Sequence, residues 1–86
     1  MTGECFLCHR YTTVQKHHIF GGACRDKSEK YKLTVNLCVD CHTGSQGVHN
    51  NAEKMLKLHQ YGQRKAMKEN GWSKDEFRTV FYKNYL

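Results

Sequence analysis

The sequence predicts a small α+β domain held together by a metal ion and ending in helices. Three observations support this fold class: two C-x-x-C pairs, two β-branched segments between them, and helix-capping residues after position 50. A chain of 86 residues is expected to form one domain, residues 1–86. Because only 38% of its residues are hydrophobic, the core is small and a metal staple would stabilise it.

The cysteines form two pairs, Cys5 with Cys8 and Cys38 with Cys41. A two-residue gap lets both sulfurs of a pair reach one ion through a tight turn, so the pattern predicts a structural zinc ion with four thiolate ligands. An alternative ligand set would use His9 or His42, each of which directly follows a pair. Cys24 belongs to neither pair and is interpreted as an unpaired thiol. The sequence therefore predicts a zinc-stapled domain.

About thirty residues separate the two pairs, enough for a folded insertion. Residues Tyr11 to Ile19 are rich in β-branched side chains and predict a strand that leads into a Gly21-Gly22 turn. Residues 25–32 predict a loop or a short helical turn. Leu33 to Leu37 predicts a second strand that runs into the second cysteine pair.

A long helix is predicted after the second pair. Asn50 or Asn51 can cap its start, and its apolar residues continue to about Glu69, with Gly62 as a weak point near the middle. Asn70-Gly71 is the predicted stop. The zinc-binding and ββα part of the chain is thus expected over residues 5–70.

A final helix is predicted over residues 73–84. Ser73 is the expected N-cap, Glu76 completes a capping box, and Trp72 would pack on Phe77 as a hydrophobic staple. Its buried face is expected to carry Phe77, Val80 and Phe81.

The formal charge is +6, from 14 Lys and Arg against 8 Asp and Glu. Four thiolates and one zinc ion would reduce it to about +4, which is still basic. A basic surface without a polybasic anchor favours nucleic acid over a membrane as partner. No segment approaches the roughly 20 apolar residues of a membrane span, and the N-terminus lacks a signal-peptide pattern, so we expect a cytoplasmic protein.

The histidines are not explained by a four-cysteine site. Four of them lie near the predicted junction of strands and helix: His17, His18, His42 and His49. Because the strand with the first two runs back along the strand that feeds the second cysteine pair, the four side chains can converge. His59, in the middle of the long helix, is interpreted as an ordinary histidine.

This pattern resembles the HNH nucleases, which share the ββα-metal (His-Me finger, treble-clef-like) fold. The resemblance depends on HHI at 17–19, the glycines at 21–22 and LCVDCH at 37–42, and it covers roughly residues 5–60. It implies a single HNH nuclease domain. The small size and the aromatic C-terminal helix are similar to phage-type, stand-alone members, which implies a phage or prophage protein acting in a bacterial host cell.

The resemblance also implies site roles. His17 corresponds to a ligand of a catalytic divalent metal, His18 to the general base, and His42 to a second metal ligand. Some members have a further ligand, for which His49 is the candidate. An imidazole-rich site suits Mn, Ni, Co or Zn better than Mg.

Two further residues are catalytic candidates. Arg25 follows the glycine turn and could bind the phosphate or its developing charge. The middle Asn of the family stands where this chain has Leu33, so Asn36 is the candidate for shaping the catalytic loop, with Asn50 and Asn51 as alternatives.

The function expected from these residues is metal-dependent hydrolysis of DNA phosphodiester bonds by an endonuclease. Double-strand cleavage would need a homodimer or a partner protein. One alternative is a non-catalytic zinc finger that binds nucleic acid through basic side chains of the insertion, Lys16, Lys27, Lys30 and Lys32. Another is a protein-interaction domain that uses exposed Tyr82 and Tyr85.

Overall fold

The computed structural model describes residues 1–86 and contains a three-stranded sheet and four α-helices. The strands are β1 (Thr2–Glu4), β2 (Tyr11–His18) and β3 (Thr34–Cys38). The helices are α1 (Arg25–Lys30), α2 (Val39–His42), α3 (Ala52–Asn70) and α4 (Lys74–Phe81), and short 3-10 turns cover Gly22–Cys24 and Val48–Asn50. The predicted α+β class is confirmed.

The sheet is antiparallel, with strand order β1-β2-β3. The two predicted strands are present: β2 ends one residue earlier than predicted, and both boundaries of β3 lie one residue later than predicted. In the pairing of β2 with β3, His17 lies opposite Val35 and His18 lies opposite Thr34. Because neighbours on a strand alternate between faces, the adjacent histidines are directed to opposite sides of the sheet.

Helix α3 passes close to the end of β2. The side chain of Asn51 accepts a hydrogen bond from the Lys54 amide at 3.0 Å, and Gly71 ends the helix with a left-handed φ of 65°. Gly62 lies where Ile19 and Phe20 pack against the helix, and it is buried. The missing side chain at this position lets α3 approach the segment that follows the histidine pair.

Helix α4 begins with the predicted capping box, in which Ser73 and Glu76 exchange both hydrogen bonds. It ends at Phe81, earlier than the predicted residue 84, because Tyr82 has a left-handed φ of 68°. Trp72, predicted to pack on Phe77, lies edge-on to Tyr31 with ring centroids 5.0 Å apart.

An aromatic cluster joins α4 to the end of β2. Phe20 contacts the rings of Phe77, Phe81 and Tyr85, with centroid separations of 5.5, 4.8 and 5.4 Å. Tyr85 is therefore half-buried in this cluster, and the expectation that it is an exposed contact residue is wrong; Tyr82 is exposed. None of the helices combines the length and the apolar character that a membrane-spanning segment needs.

Candidate functional site

The four paired cysteines converge at one end of the sheet. Cys5 and Cys8 lie in the turn after β1, Cys38 ends β3, and Cys41 lies in α2. Their sulfurs all lie within 4.8 Å of one another, and the Cys8 and Cys38 sulfurs are 3.7 Å apart. Tetrahedral zinc with bonds of about 2.3 Å would separate its sulfurs by about 3.8 Å. The cluster can hold a metal ion such as zinc.

Protonation of these thiols is uneven. Burial raises the pKa of Cys5, but hydrogen bonds from the backbone of Cys38, Cys8 and Leu7 outweigh it and lower the pKa to about 6. Burial and the neighbouring sulfurs raise the pKa of Cys41 to about 12. Four negative sulfurs cannot share this volume without a compensating cation, which the donor set is suited to bind.

Three of the predicted histidines also converge. His17 on β2, His42 at the end of α2 and His49 in the following 3-10 turn have ring nitrogens within 4.8 Å of one another. The Nε2 atoms of His42 and His49 are 3.0 Å apart. Ligands of one ion at about 2.1 Å would have nitrogens roughly 3.0 to 3.4 Å apart. This cluster, called the histidine triad below, can also hold a metal ion.

His17 is the buried member of the histidine triad, with 6% of its surface exposed. Its Nε2 is buried and has no hydrogen-bond partner in the protein. Burial, followed by the nearby His42 and His49, lowers the pKa of His17 to about 4. The ring is therefore neutral near pH 7, and an uncharged imidazole nitrogen is a competent metal ligand.

Gln15 fixes the orientation of His42. Its side-chain oxygen lies 2.9 Å from Nδ1 of His42, so that nitrogen donates the hydrogen bond and Nε2 is left with its lone pair. Nε2 is the atom directed at His49. A hydrogen bond of this kind on the distal nitrogen is typical of histidines that bind metals.

His18 points away from the histidine triad and contacts α1. Its Nε2 lies 2.8 Å from a carboxylate oxygen of Glu29, whose other oxygen accepts from Lys16 at 2.6 Å. The Lys16 hydrogen bond lowers the pKa of Glu29, so this carboxylate is ionised at neutral pH. Nε2 of His18 then carries the proton, and Nδ1 is left as the basic nitrogen.

Glu29 is held in place by the residue before it. The buried Ser28 hydroxyl accepts a hydrogen bond from the Phe20 amide at 3.0 Å and donates one to the Phe20 carbonyl at 2.7 Å. These bonds attach α1 to the end of β2, next to His18. The sequence prediction missed Glu29, since only the fold shows that α1 turns back onto this strand.

A cleft of about 310 Å³ contains the histidine triad, His18 and the Gly21-Gly22 turn. Arg25 also lines this cleft and is exposed. His59, interpreted as ordinary, also lines the cleft and stacks on Phe20 at a centroid distance of 5.4 Å. Its interplanar angle of 15° indicates that it packs as part of the aromatic cluster.

Asn36 does not line this cleft. It is exposed and lies opposite Lys16, on the other face of the sheet from His17. The loop between His42 and His49 is braced by Asn50, whose side chain donates to the carbonyls of Thr43 and Gly44 at 3.1 and 2.9 Å. We therefore replace Asn36 by Asn50 as the candidate for shaping this loop, while Asn51 caps α3.

The alternative zinc ligands are placed elsewhere. His9 is exposed and its Nδ1 lies 2.9 Å from a carboxylate oxygen of Glu4, while His42 belongs to the histidine triad. Cys24 lies outside the four-cysteine cluster, with its sulfur 3.7 Å from the Phe81 carbonyl. These contacts leave the four paired cysteines as the candidate zinc ligands.

Comparison of the chain with protein-family models, curated proteins and solved structures finds no significant match. The functional interpretation therefore depends on the residues and their geometry.

Proposed function

We propose that this protein is a metal-dependent DNA endonuclease of the HNH type. The main support for this proposal is the buried Nε2 of His17. This atom has no hydrogen-bond partner in the protein and belongs to a cluster of three imidazoles next to His18. A buried polar nitrogen without a partner is costly unless something absent from the protein chain satisfies it. A divalent metal ion would fit three converging imidazole nitrogens.

His17, His42 and His49 would hold this catalytic metal, with Mn, Ni, Co, Zn or Mg as candidates. When bound, the ion supplies positive charge to the phosphate oxygens and so makes the phosphorus more susceptible to attack. Gln15 and Asn50 hold the ligand-bearing segment in shape through the hydrogen bonds described above.

His18 is the proposed general base. It lies in the same cleft as the histidine triad but on the opposite face of β2, and Glu29 binds the proton on its Nε2. Nδ1 can then accept a proton from the attacking water. Two adjacent histidines on a strand thus serve the metal and the water separately, because their side chains point in different directions.

Arg25 and the net charge support a polyanionic substrate. The exposed guanidinium of Arg25 at the cleft edge can bind a phosphate oxygen. The formal charge of +6 favours DNA as partner, with a homodimer or a partner protein required if both strands are cut.

The finer structural assignments belong to the same proposal. A structural zinc on Cys5, Cys8, Cys38 and Cys41 is supported by their spacing and by the 3.7 Å separation of two sulfurs. The antiparallel β2–β3 pair followed by α3, with the histidines at their junction, supports a ββα-metal domain. The resemblance extends the proposal to a phage-type protein of the bacterial cytoplasm.

The non-catalytic zinc-finger alternative is less well supported. Of its four lysines, Lys16 bonds to Glu29, and Lys27 donates to the Val80 carbonyl and the Tyr82 hydroxyl, both at 2.6 Å. Both side chains therefore have partners within the protein, whereas Lys30 and Lys32 are exposed and remain available to a phosphate. The histidine triad would also have no role in such a module.

A plasmid-nicking assay with purified protein tests the proposal. Supercoiled DNA is incubated with Mn, Ni, Co, Zn or Mg, and with a chelator at a level that leaves the structural zinc in place. Metal-dependent conversion to nicked circles is expected. If the protein binds the plasmid but nicks it with none of these metals, the nucleic-acid-binding module is the better interpretation.

A further inference from the structure

A second cleft, of about 390 Å³, lies between the first cysteine turn and α3. Its apolar lining includes Phe6, Leu7, Leu58 and Tyr61. Leu7 and Tyr61 are each 37% exposed, and the Phe6 and Tyr61 rings are 4.9 Å apart. Exposed apolar side chains gathered in one concave site are typical of an interaction surface.

This cleft is on a different face of α3 from the histidine triad. Met55 and His59 line the histidine cleft, whereas Lys54, Lys57 and Tyr61 border the second one. At 3.6 residues per turn these two sets project in widely different directions. The second cleft therefore does not belong to the proposed active site.

One side of the second cleft is basic. Lys54 and Lys57 line it, and Arg64 and Lys68 continue the exposed row beyond Tyr61 at three- and four-residue spacing. Lys54 donates to the Gln46 carbonyl at 2.7 Å, and Lys57 lies 3.5 Å from Glu53 in an exposed pair. Each ammonium has three donors, so both can still bind a carboxylate.

We propose that this cleft docks an acidic segment of a partner protein. An aliphatic or aromatic side chain of that segment would insert between Leu7 and Tyr61, and its carboxylates would lie along Lys57 and Arg64. Four thiolates around a zinc ion would carry a net charge of −2 at the Cys8 end, so the carboxylates must lie toward the α3 end. The cleft thus predicts an apolar anchor with acidic residues on one side of it.

A nucleobase fits this cleft less well. Its polar edges would be buried against Phe6, Leu7 and Leu58 without hydrogen-bond partners. The ring of Tyr61 is also partly covered by Phe6, which reduces the surface available for base stacking. An amino-acid side chain without polar atoms has neither disadvantage.

Binding can be tested by fluorescence anisotropy with three labelled peptides and a thymidine oligonucleotide of similar length. The test peptide carries a Leu-Phe pair followed by aspartates and glutamates; one control replaces the pair by Ser-Ser, and the other replaces the acids by Gln. The test peptide is expected to bind at least about tenfold more tightly than either control, the loss typical of removing an anchor contact.

Protein variants localise the binding. Tyr61→Ala and Arg64→Glu should each reduce the affinity for the test peptide by about fivefold or more. Lys74→Glu makes the same charge change as Arg64→Glu at the exposed start of α4 and should leave the affinity unchanged. Melting curves and zinc content confirm that each variant is folded. Equal binding of all three peptides, no binding, or loss with Lys74→Glu would overturn the proposal. Oligonucleotide binding that Tyr61→Ala removes, without peptide binding, would assign the cleft to nucleic acid instead.

Discussion

Gly62→Ala is expected to destabilise the protein, although the same change in an exposed helix stabilises it. A Cβ at position 62 would lie 2.6 Å from Cγ2 of Ile19 and 3.0 Å from Cε2 of Phe20. Ile19 is 1% exposed and directly follows His18, so it cannot move aside without disturbing the core and the cleft. Overpacking of a core lowers the free energy of unfolding by up to about 3 kcal/mol. Replacing glycine by alanine inside a helix raises it by about 1 kcal/mol, so the expected net loss of stability is about 2 kcal/mol.

Thermal unfolding of the zinc-loaded protein measures this effect. A loss of about 2 kcal/mol in a domain of this size lowers the melting temperature by about 8 to 16 °C. Gly21→Ala is the matched control, because a Cβ there meets no atom within 4 Å. Its free energy of unfolding should change by less than about 0.5 kcal/mol. A Gly62→Ala protein that melts higher than the parent would show that α3 does not pack on Ile19 in this way.

Three further changes test other parts of the structure. Cys5→Ser should bind less than one equivalent of zinc and unfold the first cysteine turn, which elemental analysis and circular dichroism would detect. If the parent protein, purified without chelator, holds less than about half an equivalent of zinc, the four-cysteine zinc site is wrong. Removing residues from Trp72 onward should lower the melting temperature, since Phe77 and Phe81 are buried; an unchanged value would mean that α4 does not contribute to this core. While the histidine triad holds no metal, the pKa of His17 is about 4 in the folded protein and 6.5 in the reference state, so the folded state is most stable above pH 6.5 and loses stability as the pH falls toward 4. The loss is up to about 3 kcal/mol, so His17→Gln should flatten the pH dependence of urea unfolding over this range when no divalent metal is added; identical slopes for the two proteins would contradict this expectation.

Local sequence signals predicted most of the fold. The β-branched residues of β2 and the caps of α3 and α4 act through nearby hydrogen bonds and side-chain preferences, so their positions follow from short segments. β1 was not predicted because three residues carry little local preference, and its strand depends on pairing with β2. The half-burial of Tyr85 depends on the aromatic cluster, which only the folded chain assembles.

In the candidate site, too, local sequence patterns predicted some features, while contacts between distant residues determined the others. Cysteine spacing predicted the four-cysteine cluster directly. Strand pairing predicted that His17, His18, His42 and His49 could converge, and the structure groups the first, third and fourth of these while His18 contacts Glu29. Glu29 and Gln15 were missed because each contacts its histidine across at least eleven residues of sequence. Asn36 was chosen for its residue type near the second cysteine pair, but Asn50 makes the bonds that brace the loop.

Metal titration of plasmid nicking by three histidine variants tests the central proposal most directly, with zinc content verified for each. His18→Ala should keep its metal dependence and its DNA binding while cutting about 100-fold or more slowly, as expected when a general base is lost. His17→Ala and His42→Ala should instead need more metal and recover part of their activity when it is added. If His18→Ala is the variant that added metal rescues, the two histidine roles are reversed. If all three nick DNA like the parent, the histidines do not form an active site and the nuclease proposal is wrong.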